Sequence, residues 1–172
     1  MEIIENKALL LRTRSPEKYR VIPRSKIVEE HDDGSSSIAV FWGLDEVRVL
    51  KNLGVKNLPS PITRNYDWPG RFSTMEHQKE TAAFLTMHKR ALCLNAPGTG
   101  KSISSLWAAD FLLDQCVARK VLIVAPLSTV KVVWANELRH HLSHRSFVVC
   151  TGSKQKRTEL LETPGVQYVI IN

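Results

Sequence analysis

The sequence has few cysteines and no long apolar run. Its 172 residues include three cysteines, at positions 93, 116 and 150, and no two of them form a Cys-x-x-Cys pair. Disulfide frameworks and zinc sites need paired or closely spaced cysteines, so we expect buried free thiols in a reducing compartment. No apolar run approaches the ~20 residues of a membrane span, and the first residues lack a signal peptide's basic start. We therefore expect a cytoplasmic protein without a membrane partner.

Acidic residues are scarce in the second part of the chain. Residues 1–70 carry 11 Lys and Arg against 10 Asp and Glu, whereas residues 71–172 carry 13 against 7. The second part is therefore net +6, which suits a phosphate-rich partner such as nucleic acid, although an ordinary solvated surface also accounts for it. The length allows one ordinary domain, or one with a small appendage. The hydrophobic fraction of 43% is that of a globular chain.

Residues 1–70 are predicted to form a small α+β unit. The predicted elements are strands at 8–12, 19–23 and 38–42, a helix at 44–53 and extended linkers at 57–62 and 66–70. Gly54 gives the helix its stop signal. No catalytic spacing is present here, so we interpret this unit as a packing or positioning module.

A glycine-bearing loop lies near the middle of the chain, at residues 95–102. The apolar residues 91–94 before it predict a short buried strand, and residues 103–113 after it predict a helix. Strand, glycine loop, Lys-Ser and helix is the order of a phosphate-binding loop. Asn95 stands where the consensus has its first glycine.

The residue types of this loop suit phosphate chemistry. Gly98 and Gly100 can take positive φ and let backbone N–H groups surround an anion. The positive end of the following helix faces the same anion. Lys101 can reach the β- and γ-phosphates, and the Ser102 hydroxyl can hold Mg²⁺.

The remainder alternates helices and strands. A helix is predicted at 75–87, with Ser73 or Thr74 as its N-cap. Beyond the loop the predicted elements are buried strands at 121–125, 146–150 and 167–171, a helix at 130–142 and a short helix ending at 162. This alternation predicts a parallel sheet with right-handed crossovers.

Several landmarks occur in a characteristic order. Gln78 in the helix at 75–87 is followed by the loop at 95–102, by Ala-Pro-Leu-Ser at 125–128, and then by Trp134 and Glu137. In this order they resemble the Q motif, motif I and motif Ia of the SWI/SNF-like branch of helicase superfamily two, the ATP-driven DNA translocases. Residues 169–172 look like the strand that leads into motif Ib. The front segment, with Ala-Val-Phe-Trp-Gly at 39–43, Asp45-Glu46 and Pro-Ser-Pro-Ile at 59–62, is similar to the leader of phage-encoded members.

The resemblance implies a fold and a domain division. It implies an α/β chain in which a P-loop, RecA-like parallel sheet, an incomplete first helicase lobe, is preceded by a small α+β domain. The leader and linker would span 1–70, and the first half of the ATP-binding lobe would span 71–172. A phage-encoded protein would act in the host cytoplasm.

The resemblance also implies ATP and Mg²⁺ as cofactors and DNA as the partner. Lys101 and Ser102 would serve catalysis, with Ser102 holding Mg²⁺, and Gln78 would bind the adenine edge, with Arg71 or Phe72 stacking on the base. The cofactor-binding residues would be Gln78, Asn95, Ala96, Pro97, Gly98, Thr99, Gly100, Lys101 and Ser102. Pro126, Leu127 and Ser128 would contact the backbone of DNA, most simply duplex, without reading its sequence; Ser128 also suits a helix N-cap.

An acidic pair at the end of a hydrophobic strand does not occur after Lys101. Such a pair would hold Mg²⁺ and position water, so we expect a longer protein, cut within its first motor lobe and inactive as this piece alone. An AAA+ ATPase is a rival interpretation because Ala-Pro-Gly-Thr-Gly-Lys-Ser also suits that family. A non-catalytic nucleotide- or DNA-binding module is a second rival. The sequence leaves the oligomeric state open.

Overall fold

The chain divides into two compact units, Met1–Tyr66 and Asp67–Asn172. A computed structural model describes the backbone of residues 1–172 and every side chain except that of Asn65. The protein is mixed α/β, with a four-stranded antiparallel sheet in the first unit and a separate three-stranded parallel sheet in the second. This confirms the predicted α/β class, while the RecA-like arrangement stays a prediction.

The first unit is built on the antiparallel sheet, in the order β1-β2-β4-β3. Its elements are β1 (Glu2–Ile4), β2 (Ala8–Thr13), a 3₁₀ turn (Pro16–Tyr19), β3 (Ser25–Glu30), β4 (Ser36–Phe41), α1 (Leu44–Asn52) and α2 (Ile62–Asn65). Leu9 pairs with Val40 and Leu11 with Ile38 across β2 and β4, and all four side chains are buried. Alternate residues of the two central strands therefore form one apolar face.

Two predictions for the first unit need correction, and the strand β3 was not predicted. Residues 19–23 do not form a strand, because a 3₁₀ turn ends at Tyr19 and Ile22 N–H donates back to the Tyr19 carbonyl. The strand instead begins at Ser25; it is an edge strand whose residues are mostly exposed, so apolar alternation does not mark it. The linker contains α2, whose Ile62 is fully buried.

The second unit carries the parallel sheet, in the order β5-β7-β6. Its elements are α3 (Glu76–Met87), α4 (Lys101–Asp114), β5 (Val121–Val124), α5 (Leu127–Thr129), a π-helical segment (Val130–Ala135), α6 (Asn136–His141), β6 (Phe147–Cys150), α7 (Lys154–Leu161) and β7 (Tyr168–Ile171). In register, Ile123 of β5 and Val149 of β6 both pair with Ile170 of β7. The predicted parallel pairing of these strands is confirmed.

β5 is parallel as predicted, but it is not a buried strand. It lies at the edge of the sheet, and the side chains of Leu122 and Val124 are 61% and 70% exposed. The buried position belongs to β7 at the centre, where Tyr168, Val169 and Ile170 are almost inaccessible. A continuous apolar run indicates a strand but does not tell which strand has neighbours on both sides.

The helical segment after β5 also differs from the prediction. It begins at Leu127, three residues before the predicted start, and Val130–Ala135 has π-helical rather than α-helical hydrogen bonding. Ser128 lies inside α5, where Pro126 is the N-cap, so Ser128 is not the predicted cap. π-helical turns interrupt α-helices rarely and are frequent at functional sites.

The three cysteines differ in exposure. Cys150 is buried, but Cys93 is only half-buried and Cys116 is exposed, so the expectation of three buried thiols is wrong. Cys116 has a φ of +55° and its N–H donates to the Leu113 carbonyl, which places it in the left-handed turn that ends α4.

No helix in the described part of the chain combines the length and apolar character needed to cross a membrane.

Candidate phosphate-binding loop

The loop at 95–102 bends through two glycines and runs directly into a helix. Gly98 and Gly100 have φ of +80° and +78°, in the left-handed region that residues with a Cβ rarely adopt. α4 begins immediately at Lys101 and continues for 14 residues. The N-terminus of a four-turn helix therefore opens directly onto the loop.

Lys101 closes the loop through its ammonium group. Its Nζ atom donates to the carbonyl oxygens of Asn95 and Ala96, each at 2.8 Å. Thr99 Oγ1 also donates to the Ala96 carbonyl, at 2.8 Å. The backbone carbonyls at the beginning of the loop are therefore bound to the ammonium of Lys101 near its end.

Gln78 reaches this loop from α3. Its Oε1 atom accepts a hydrogen bond from the Met75 N–H at 3.2 Å, which makes Met75 the N-cap of α3. The Nε2 atom lies against Gly100: if that residue had a Cβ, the Cβ would be only 2.3 Å from Nε2. The structure therefore brings together Gln78 and Gly100, which lie 22 residues apart in sequence.

The N-cap of α3 is not Ser73 or Thr74, as the sequence suggests. A glutamine at the third helical position reaches back to the N-cap N–H in the capping-box arrangement. Gln78 holds that position relative to Met75 and not relative to either hydroxyl residue. The helix therefore has Met75 as its N-cap, with the Gln78 side chain bonded to the Met75 N–H.

Two further residues of α3 contact the loop, and the sequence analysis missed both. His77 donates from Nε2 to the Thr99 carbonyl at 3.1 Å. Thr81 Oγ1 accepts from the Asn95 side-chain amide at 2.9 Å. Thr81 lies at i+3 from Gln78, a spacing at which helical side chains are neighbours, so that position could have been found from the sequence. His77 directly precedes Gln78, and no helical spacing marks it.

The strand predicted at residues 91–94 is absent from the described chain. These residues have no regular secondary structure and belong to neither sheet, and Leu92 and Leu94 are 75% and 82% exposed. An apolar run becomes a strand only when a neighbour supplies its hydrogen bonds. An open groove of about 380 Å³ runs beside the segment, lined by His77, Glu80, Thr81, Phe84, Leu92, Cys93 and Asn95.

Trp107 fixes the position of α4 behind the loop. Its indole is 2% exposed, and its Nε1 atom donates to the Pro69 carbonyl at 2.8 Å. Trp68 and His141 each meet the indole edge to face, at centroid distances of 5.5 and 6.4 Å. This aromatic cluster joins α4, α6 and the segment that leads into α3.

The acidic residues of α4 are engaged by Arg145, which lies just before β6. Its guanidinium forms ion pairs with the buried Asp110 and with the exposed Asp114. His144 Nε2 lies 3.2 Å from the same Asp110 carboxylate. These contacts raise the pKa of Arg145 against the opposing effect of its burial. The carboxylates nearest in sequence to Lys101 therefore serve to hold α4 in place.

The other predicted site residues lie on separate elements. Pro126, Leu127 and Ser128 follow the carboxyl end of β5 and are all exposed, Leu127 by 64%. Phe72 is 72% exposed, and the guanidinium of Arg71 lies 6.0 Å from its ring centroid. Ser102 is half-buried in the first turn of α4.

A scan against protein-family models finds no match to this chain, and a search of curated proteins finds none either.

Proposed function

We propose that residues 95–102 bind ATP·Mg²⁺. The observation that carries this proposal is the Lys101 ammonium on the Asn95 and Ala96 carbonyls, at the start of α4. Phosphate oxygens are stronger acceptors for an ammonium than neutral carbonyls are, because the hydrogen bond is then between opposite charges. A triphosphate entering the loop would take over Lys101 and also meet the helix N-terminus.

Gln78 is proposed to recognise the base. A primary amide has both a donor and an acceptor, which matches the adenine edge. Support for this role comes from its place against Gly100, since the amide lies at the rim of the phosphate site. The exposed Phe72 is proposed to stack on the base, with Arg71 beside it.

Mg²⁺ would be held by the Ser102 hydroxyl together with phosphate oxygens of ATP. Among the described residues no group of three or more His, Cys, Asp or Glu side chains is placed to hold a metal. Mg²⁺ commonly keeps several waters and binds through one or two protein ligands and substrate phosphates. A single hydroxyl in the first turn of α4 therefore fits a metal that enters with the nucleotide.

For the protein as a whole we propose a DNA-dependent ATPase of the SWI/SNF-like type, with a RecA-like lobe at 71–172. The support is the ordered set of motifs, the net positive charge of residues 71–172, and the exposed Pro126, Leu127 and Ser128 at the end of β5. In this proposal ATP hydrolysis drives movement along DNA, and residues 126–128 contact its backbone.

A second candidate function is nucleotide binding without turnover. The observation that favours it is the engagement of Asp110 and Asp114 by Arg145, which directs both acids of α4 away from a catalytic role. Hydrolysis requires groups that position water and stabilise charge. Measuring phosphate release beside nucleotide binding would distinguish this candidate from an ATPase.

Thermal unfolding tests the binding proposal. A ligand that binds only the folded state stabilises it, by about 2.7 kcal/mol at a hundred times its dissociation constant. We expect ATP·Mg²⁺ to raise the Tm of the wild type and of Lys89→Ala, a matched control on an exposed lysine elsewhere in the unit. Lys101→Ala should lose most of the increase. An equal increase in all three proteins would contradict the proposal.

A further inference from the structure

Asn95 is held at both ends. Its side-chain Nδ2 donates to Thr81 Oγ1 on α3 at 2.9 Å, and its carbonyl oxygen accepts from Lys101 Nζ at 2.8 Å. The loop is therefore tied to α3 through the same residue whose carbonyl receives the ammonium. A glycine, the consensus residue at this place, would have no side chain to make the first of these bonds.

The hydrogen-bond directions at Thr81 are mutually consistent. Its hydroxyl donates to the His77 carbonyl one turn earlier at 2.7 Å, so its oxygen accepts from the Asn95 amide. A hydroxyl has one donor and two acceptor positions, and both kinds are used here. Because the His77 bond fixes the hydroxyl rotor, Thr81 presents its acceptor to Asn95 in one orientation.

We infer that Thr81 and Asn95 form a positioning pair for the phosphate-binding loop. Thr81 does not contact the nucleotide in this arrangement; it acts by holding Asn95, whose carbonyl locates Lys101. Since Gln78 lies on the same helix and touches Gly100, the pair also links the base-recognition helix to the phosphate site. This inference rests on the proposed function of the loop as a nucleotide site.

The Thr81–Asn95 pair reduces the conformational entropy that the loop loses when nucleotide binds. A loop already fixed in its binding conformation loses less conformational freedom on binding, and preorganisation of this kind increases affinity. The Asn95–Thr81 bond is exposed, so its contribution is that of a single neutral hydrogen bond. Its loss should weaken ATP·Mg²⁺ binding by roughly twofold to tenfold.

Thr81→Val is the sharpest test because valine has the shape of threonine without the hydroxyl. Thr81→Ser keeps the hydroxyl and is the rescue control. Calorimetry should show weaker ATP·Mg²⁺ binding for Thr81→Val and near wild-type binding for Thr81→Ser. In an Asn95→Ala background, Thr81→Val should cause no further loss, because the partner amide is already gone.

A nucleotide-free measurement accompanies the titration. The side-chain amide resonances of Asn95 should move in Thr81→Val and stay near their wild-type positions in Thr81→Ser. Unchanged Asn95 resonances in Thr81→Val would show that the pair does not form and would overturn the inference.

The outcomes separate this inference from the proposed function. If the wild type binds ATP·Mg²⁺ and Thr81→Val binds it equally well, the inference alone is wrong. If the wild type binds no better than Lys101→Ala, the proposed function is wrong and the inference falls with it. Thermal unfolding of each variant identifies any that fails to fold, and for such a variant Asn95→Ala supplies the same comparison from the other partner.

Discussion

Gln78 Nε2 lies so close to Gly100 that a Cβ on the glycine would come within 2.3 Å of it. Two features therefore favour glycine at this position: the left-handed backbone, with a φ of +78°, and the Gln78 amide packed where a Cβ would lie. Gly98 has almost the same φ, but open space surrounds the place of its Cβ. A substitution at Gly98 therefore introduces backbone strain alone, whereas a substitution at Gly100 introduces backbone strain and a clash with Gln78.

Alanine at either glycine should cost about 1 kcal/mol of unfolding free energy, because both positions require a left-handed backbone. Gly100→Ala should in addition displace the Gln78 side chain, whereas Gly98→Ala should leave it in place. Urea unfolding measures the first effect, and the Gln78 side-chain amide resonances measure the second. Displacement of Gln78 to the same extent in both variants would contradict the arrangement described.

Gln78→Ala tests base recognition. If the amide binds the adenine edge, its removal should weaken ATP binding more than GTP binding and narrow the preference between them. A competition titration of the two nucleotides gives the ratio for each protein. An identical ratio of ATP to GTP affinity in wild type and variant would show that Gln78 does not recognise the base and serves only to cap α3.

The stability of the second unit should fall in mild acid because of His141. Its ring is largely buried against Gly70 and Trp107, while Glu137 and His140 are the charged or titratable groups that act on it. Burial lowers its pKa below the ordinary 6.5, against the opposing effect of Glu137. The unfolded chain then binds the proton more readily, so stability present above pH 6.5 is lost as the pH falls toward the folded pKa.

Urea unfolding between pH 7.5 and pH 5 measures this dependence. His141→Gln, which cannot titrate, should flatten the profile in that window, and His88→Gln is the control, at a histidine that is not in the Trp107 cluster. A wild-type profile with no decline in this range, or an equal decline in His141→Gln, would refute the assignment.

Arg145→Leu should strongly destabilise the second unit. Asp110 is 1% exposed and pairs with Arg145, so removing the guanidinium takes the main counter-charge from a buried carboxylate. Breaking a buried ion pair from one side typically costs about 3–5 kcal/mol. Urea unfolding should show a loss of this order, whereas Arg119→Leu, at an exposed arginine, should change stability by less than about 0.5 kcal/mol.

Local pattern predicted most of the helices and the parallel strands. α4 was expected at 103–113 and spans Lys101–Asp114, and β7 was expected at 167–171 and spans Tyr168–Ile171. The apolar residues of these segments face a core that their own unit supplies, so their sequence reflects their environment. The same pattern failed at residues 91–94, which are apolar but have no hydrogen-bonding strand beside them in the described chain.

The contacts around the loop join residues that are distant in sequence, so local sequence pattern could not predict them. Gln78 was identified through resemblance, but nothing in its own surroundings showed that it reaches Gly100. His77 and Thr81 became visible only when α3 was placed beside the loop. β3 escaped prediction for a different reason, because an exposed edge strand lacks the alternation that marks a half-buried one.

Calorimetry with a series of adenine nucleotides tests the central claim most directly, because Lys101 is proposed to contact the outer phosphates. Wild type should bind ATP·Mg²⁺ more tightly than ADP·Mg²⁺ and AMP least. Lys101→Ala should lose roughly tenfold to a hundredfold in ATP affinity, as expected for a charge-assisted contact. Its AMP affinity should change little, and its circular dichroism without nucleotide should match that of the wild type. Equal ATP affinity in the folded wild type and Lys101→Ala would contradict the assignment of residues 95–102 as a phosphate-binding loop.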